Sequence, residues 1–204
     1  RLVAAVKMIR EAGIQPHIIP TAHGGNIDAL GEYVALADSL GATMNFSLLS
    51  APVENEDLSA VLPDDAALER LAQATLALSR DGVPVLSDTP VSTRLTTTCG
   101  CGAGCTMVSV SADGEVFPCH MMHDEAFSLG SLLEDSGCLA ARHAPAPRVA
   151  ELGACADCDI RYLCGGGCRA RAYFATGDVE ARDPYCSLVR TFYRLLFEAM
   201  LARN

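Results

Sequence analysis

No apolar run in this chain approaches the ~20 residues that a membrane-spanning helix needs. No basic stretch exceeds isolated pairs, and 15 Lys+Arg face 25 Asp+Glu. That balance argues against a nucleic-acid groove and against an anionic membrane surface as partners. The opening stretch RLVAAVKMIREAG lacks the short apolar core and small-residue cleavage site of a secretory signal. No internal repeat is visible, which leaves one large domain or two small ones. Cysteine is missing from the first 98 residues altogether.

What is present is equally uneven. Half of the 204 residues are hydrophobic, enough for a sizeable core. All ten cysteines fall between residues 99 and 186. Secreted disulfide scaffolds are usually short, loop-rich and poor in core residues, unlike this chain. Clustered thiols beside a cysteine-free half point instead to metal or iron–sulfur ligation in a reducing, cytoplasmic compartment.

The first half alternates between helix and strand. Leu2, Val6 and Ile9 share a helical face that ends at Gly13, a C-cap signal. IQPHIIPTA follows as a strand and HGGN as a loop, with Asn26 placed to cap the helix IDALGEYVALADSLG. ATMNFSLLS is a second strand, PDDAALERLAQATLALSRDG a third helix, and VPVLSDTP a further strand. Such alternation predicts a parallel α/β sheet or part of a barrel, with ligands at the C-terminal strand ends. The loops TAHGGN and SAPVEN would then face the active side. Composition shifts near Ser92, which divides the chain into domains 1–92 and 93–204.

The second domain is predicted to be a small cysteine-rich α+β unit. It opens on a β-hairpin in which Val108, Val110 and Val116 flank Asp113–Gly114, with cysteines at both ends. FSLGSLLED reads as a short helix or turn, and SGCLAARHAPAPRVAELGA as an irregular connection with a helical piece. Leu188, Phe192, Leu195 and Ala199 form the apolar stripe of a terminal helix. Between them stands CADCDIRYLCGGGC, with Cys155, Cys158, Cys164 and Cys168 around three glycines. Iron–sulfur clusters take four thiolates, and glycine lets the backbone reach positive φ and bring N–H groups near sulfur. With Cys186 downstream, two sites can share this loop.

Cys101, Gly114 and Cys119, then the C-x2-C-x5-C-x3-C run, then Cys186, resemble a SPASM domain, the C-terminal extension of many radical S-adenosylmethionine (SAM) enzymes. The first half is similar to the later strands and helices of the radical SAM partial barrel. The resemblance implies two auxiliary 4Fe–4S clusters. Cys155, Cys158, Cys164 and Cys186 would hold one. Cys119 and Cys168 would hold the other, with upstream partners among Cys99, Cys101 and Cys105. Cys99 and Cys105 resemble the paired ligands of anaerobic sulfatase-maturating enzymes, and Cys101 heads a CGAG stretch similar to that of peptide-modifying members. The Cys99–Cys105 pair is preferred here. Cys138 matches nothing and is expected to be a free thiol.

The family's CxxxCxxC motif, which holds the third 4Fe–4S cluster and reduces SAM, is not in this chain. In the family it lies in the first βα loop, upstream of Arg1, so we expect a fragment that does not cleave SAM alone. By the same resemblance, Thr21 and Asn26 would lie near the SAM ribose. His120 occupies the place where an acidic residue of sulfatase-maturating relatives takes a substrate proton, so catalytic His120 is one expectation. A hydrogen bond to the cluster is the other. CHMMH could offer zinc Cys119, His120 and His123, but ligands from adjacent residues fit one tetrahedron poorly. HGGN resembles a lipase oxyanion loop without its serine elbow, and His23 reads as a loop residue. Arg169 and Arg171 would offset cluster charge, pair with acids or grip an acidic leader peptide.

The complete enzyme would use a 5′-deoxyadenosyl radical to abstract hydrogen from a peptide or protein side chain, fed by a reductant such as ferredoxin or flavodoxin. Two alternatives stand beside it: an enzyme acting on a small cofactor precursor, and a non-catalytic iron–sulfur electron-transfer or zinc-binding module.

Overall fold

The computed structural model describes residues 1–50, 58, 60–79, 85–133 and 146–202. The chain divides into two units, Arg1–Thr96 with Pro184–Asn204, and Thr97–Asp183. The sequence boundary near Ser92 lies close to the first division. The terminal helix, however, is grouped with the first unit.

The first unit is parallel α/β. Helix α1 (Leu2–Glu11) buries Val6, whereas Leu2 and Ile9 of the expected apolar face are exposed. It stops at Gly13, whose φ of +77° suits a residue without Cβ. Strand β1 (His17–Ile18) and strand β2 (Thr21–Ala22) are separated by Ile19 and Pro20, the latter having no N–H for a ladder. Helix α2 (Leu30–Leu40) closes on Gly41 at φ +59°. Strands β3 (Thr43–Met44) and β4 (Ser47–Leu48) then pair in parallel with β1 and β2, His17 opposite Thr43 and Thr21 opposite Ser47. On the other side Phe46 bridges Leu86, also in parallel. The 42–50 stretch is therefore central, which is why Phe46 and Leu48 are buried.

Helix α3 (Asp65–Leu78) starts where Asp64 accepts the Ala67 N–H at 2.7 Å, satisfying one of the helix's unpaired donors. The terminal helix, residues Cys186–Leu201, packs along α3. Its buried face is Leu188, Val189, Phe192, Tyr193 and Leu196. Leu195 is half-buried and Ala199 exposed, so the expected stripe is rotated toward Val189 and Tyr193. Burying each such Leu or Phe contributes about 1.5–3 kcal/mol. Tyr185 and Tyr193 donate their hydroxyls to the carbonyls of Leu49 and Pro90, so each buried polar tip is satisfied.

The second unit is built on a three-stranded antiparallel sheet, β5 (Ser109–Val110), β6 (Glu115–Phe117) and β7 (Gly130–Ser131). The hairpin turns at Gly114, φ +89°, as its sequence predicts. Strand β7 corrects the helix-or-turn expectation for FSLGSLLED. A 3-10 turn, Glu125–Phe127, precedes it, and Gly130 then pairs with Val116. The unit continues with one helical turn, α4 (Arg161–Cys164), and helix α5 (Arg169–Thr176). The terminal helix of the first unit is then α6 (Cys186–Leu201). The loop SAPVEN beyond Ser50, most of SGCLAARHAPAPRVAELGA, and Cys138 lie outside the described residues.

Candidate metal centre

The sheet and α5 bring three cysteines into one apolar cluster. Cys119, two residues beyond β6, is buried with Ala103, Met122 and Ala170, and Cys101 and Cys168 pack against that group. Cys101 lies on the arm before the hairpin. That arm is tied down by the Gly104 N–H, which donates to the Pro118 carbonyl at 2.8 Å. Cys168 is the residue from which α5 springs. Cys99 and Cys105 are exposed. The Cys99 carbonyl pairs with the Val149 N–H, and Cys105 sits in the turn whose N–H groups bond to Gly102. Of the three upstream candidates, Cys101 packs against this group, whereas the preferred Cys99 and Cys105 are exposed.

Burial is the main cause that pushes the Cys119 and Cys168 thiols above their ordinary value, since a thiolate loses its hydration there. Cys101 pushes both further up by like charge. Opposing this, the Met121 N–H reaches Cys119 Sγ at 3.5 Å, and Arg171 favours the Cys168 thiolate. Buried thiolates with N–H donors and a nearby cation are suited to a metal group that supplies positive charge.

A second set lies in the run after Leu152. Cys155 ends a 3-10 turn, Gly153–Cys155, and its carbonyl accepts the Cys158 N–H at 3.1 Å. Cys164 closes α4, its N–H bonded to Ile160. All three are partly exposed. Cys186 opens α6 in the first unit. Gly165, Gly166 and Gly167 follow Cys164 at φ of +69°, +87° and +75°. A Cβ on them would meet Thr98, Leu152 and Asp183 at 2.7, 2.5 and 2.6 Å respectively. The glycines thus let the chain pass from Cys164 to Cys168 at positive φ, where an added Cβ would displace Thr98, Leu152 or Asp183. Cys99, Cys101, Cys105, Cys119, Cys155, Cys158 and Cys168 are free thiols, so the donor set suits iron. Among the described residues no group of three His, Cys, Asp or Glu converges on a single-ion position. A cluster does not require such convergence, because a cube of iron and sulfide keeps its thiolates apart.

His120 is exposed, with Nδ1 3.7 Å from Cys119 Sγ. His123 turns away, its ring stacked on Phe117 at 4.4 Å and its Nε2 2.7 Å from Ser109 Oγ, so CHMMH does not gather its histidines about Cys119. Asn26 does not cap the following turn. Its Oδ1 accepts the His23 N–H and its Nδ2 donates to the Thr21 carbonyl, both at 2.9 Å, bracing the loop. His23 accepts the Gly25 N–H within the same loop.

Arg169 and Arg171 are 1% and 3% exposed, so neither can grip a peptide. Arg171 pairs with Asp183, a residue that cysteine spacing did not single out. Its signal was an acidic residue directly before Pro184 and just upstream of Cys186.

No family model matches the chain. The PqqA peptide cyclase of Granulibacter bethesdensis is 29% identical across 98% of this chain and 56% of its own length. The mycofactocin maturase MftC of Mycolicibacterium smegmatis is 29% identical across 79% of this chain and 44% of its own. The AdoMet-dependent heme synthase of Methanosarcina barkeri is 27% identical across 91% and 60%. The chain thus spans about half the length of the curated relatives it matches. Among solved structures, native anSMEcpe with bound AdoMet superposes with a TM-score of 0.71 at 15% identity, covering 98% of this chain and 60% of that one. That likeness is one of fold. In sequence the chain is similar to these curated enzymes, and in fold to a solved radical SAM/SPASM enzyme.

Proposed function

We propose that this chain supplies the second half of a radical SAM partial barrel and a SPASM domain carrying two auxiliary 4Fe–4S clusters, within an enzyme that modifies a peptide or protein side chain. The observation that carries the reading is the packing of Cys101, Cys119 and Cys168 into one apolar cluster, with a separate cysteine run on the other side of three left-handed glycines. Cys101, Cys119 and Cys168 would hold one cluster, with Cys99 or Cys105 for its fourth position. Cys155, Cys158, Cys164 and Cys186 would hold the other. Bound there, the clusters supply electron transfer or a substrate anchor. The chain's own residues shield the sulfurs, through Ala103, Met122 and Ala170, and orient them, through the Met121 N–H and the Arg171 charge.

His120, exposed beside Cys119, would give or take a substrate proton, and Thr21 and Asn26 would contact SAM. The names of two relatives, a peptide cyclase and a maturase, support a peptide substrate. A third relative, a heme synthase, favours the second reading, a small cofactor precursor. A ferredoxin- or flavodoxin-like protein would supply electrons. Among the described residues no helix is long and apolar enough to cross a membrane.

Anaerobic preparation of the chain tests the cluster reading. The expected product is brown and binds about eight irons, as two four-iron clusters require. Colourless protein with stoichiometric zinc overturns it. Joined to a segment bearing CxxxCxxC, the protein should form 5′-deoxyadenosine and change the mass of a peptide. Turnover of a small precursor alone would select the second reading.

A further inference from the structure

Asp183 stands fifteen residues beyond Cys168, yet its Oδ2 accepts the Cys168 backbone N–H at 2.6 Å. Cys168 precedes the first residue of α5, and its own side chain makes no capping bond. A helix start leaves main-chain N–H groups without partners inside the helix. The Asp183 carboxylate therefore does the work that a local capping side chain would do elsewhere. It is held in turn by Arg171, with Nη2 2.9 Å from Oδ2 and Nε 3.2 Å from Oδ1. Gly167 passes so close that a Cβ would stand 2.6 Å from Oδ2. Arg169 adds a strap: it donates to the carbonyl of Gly166 and, at 2.8 Å, to those of Val179 and Ala181. The segment leading to Asp183 is thereby bound to the glycine loop itself.

Two ions this deeply buried lose much of their attraction to desolvation, and an apolar pair of similar volume often serves stability as well. What the pair adds is direction and fixed charge. We infer that Asp183, locked by Arg171, is a positioning residue for Cys168, fixing how that thiolate meets its cluster and setting the electrostatics of that cluster alone. The inference rests on the reading that Cys168 and Cys119 serve one cluster.

The test uses the full chain, reconstituted anaerobically, with electron paramagnetic resonance and potentiometry. Asp183→Asn keeps an acceptor for the Cys168 N–H and removes the negative charge. Arg171→Gln removes the positive one. Reduction adds an electron, so the midpoint potential of the Cys119-dependent signal should rise in Asp183→Asn and fall in Arg171→Gln. The other signal should stay in place, and Arg171→Lys should bring the potential back toward wild type. Loosened packing alone would not give opposite signs. Unmoved potentials, or equal shifts in both signals, overturn the inference. Should Asp183→Asn fail to fold by circular dichroism, the Arg171→Gln and Arg171→Lys pair decides by the same rule. Wild-type signals indifferent to Cys168→Ala overturn the ligand reading and the inference with it. Normal dependence on Cys168 with an unmoved Asp183→Asn potential overturns the inference alone.

Discussion

Cys101 packs into the same apolar cluster as Cys119, while Cys99, two residues upstream, is exposed. Cys101→Ala should therefore abolish the cluster signal that Cys119→Ala abolishes. At least one of Cys99→Ala and Cys105→Ala should leave iron content unchanged. Iron analysis of the four variants checks this, and full iron in Cys101→Ala would sink the assignment.

The glycine triple separates Cys164 from Cys168. Cys168→Ala should perturb the same reduced-state resonance as Cys119→Ala, and Cys186→Ala the same one as Cys155→Ala. Should Cys168→Ala behave like Cys155→Ala, the run holds one self-contained site and two clusters are not formed there.

Removal of metal should expose the protonation behaviour of the buried thiols. Burial holds Cys119 and Cys168 above the reference value of 9.0, so the unfolded chain releases these protons first as pH rises. The unfolded state then binds fewer protons, and stability falls with increasing pH. The metal-free protein should lose Tm between about pH 8 and pH 10, and Cys119→Ala should reduce that loss. In timed iodoacetamide labelling the exposed Cys99 and Cys105 should be modified first, Cys119 and Cys168 last. Labelling of Cys119 at the rate of Cys99 would contradict the burial.

Two glycines should respond in opposite directions to the same substitution. Gly31 lies inside α2 with nothing within 4 Å of a built Cβ, so Gly31→Ala should add about 0.5–1 kcal/mol of stability. Gly167 has φ +75° and faces Asp183 at 2.6 Å, so Gly167→Ala should cost more than ~1 kcal/mol. Chemical denaturation of the two variants measures both.

Much of this was legible before any coordinates. Gly13, Gly41 and Gly114 mark turns because only a residue without Cβ takes their φ cheaply. Strand β7 was not legible, because Gly130–Ser131 sits in a leucine-rich stretch with no period-two alternation. Asn26 misled because its side chain satisfies the loop behind it, through Thr21 and His23, and not the helix ahead. Spacing alone could not choose among Cys99, Cys101 and Cys105. That choice depends on which thiol the hairpin arm turns toward Cys119. Asp183 was hidden for a related reason, since its partners lie more than ten residues away in the chain.

Cys119 and Cys168 meet across about fifty residues of chain, so a cluster bonded to both would act on the denatured ensemble as a cross-link does. By the loop-closure relation used for disulfides, a tether of that length removes about 4 kcal/mol worth of unfolded-chain entropy at room temperature. Iron occupancy would then govern how long the second unit survives heating or proteolysis, apart from any electron it carries.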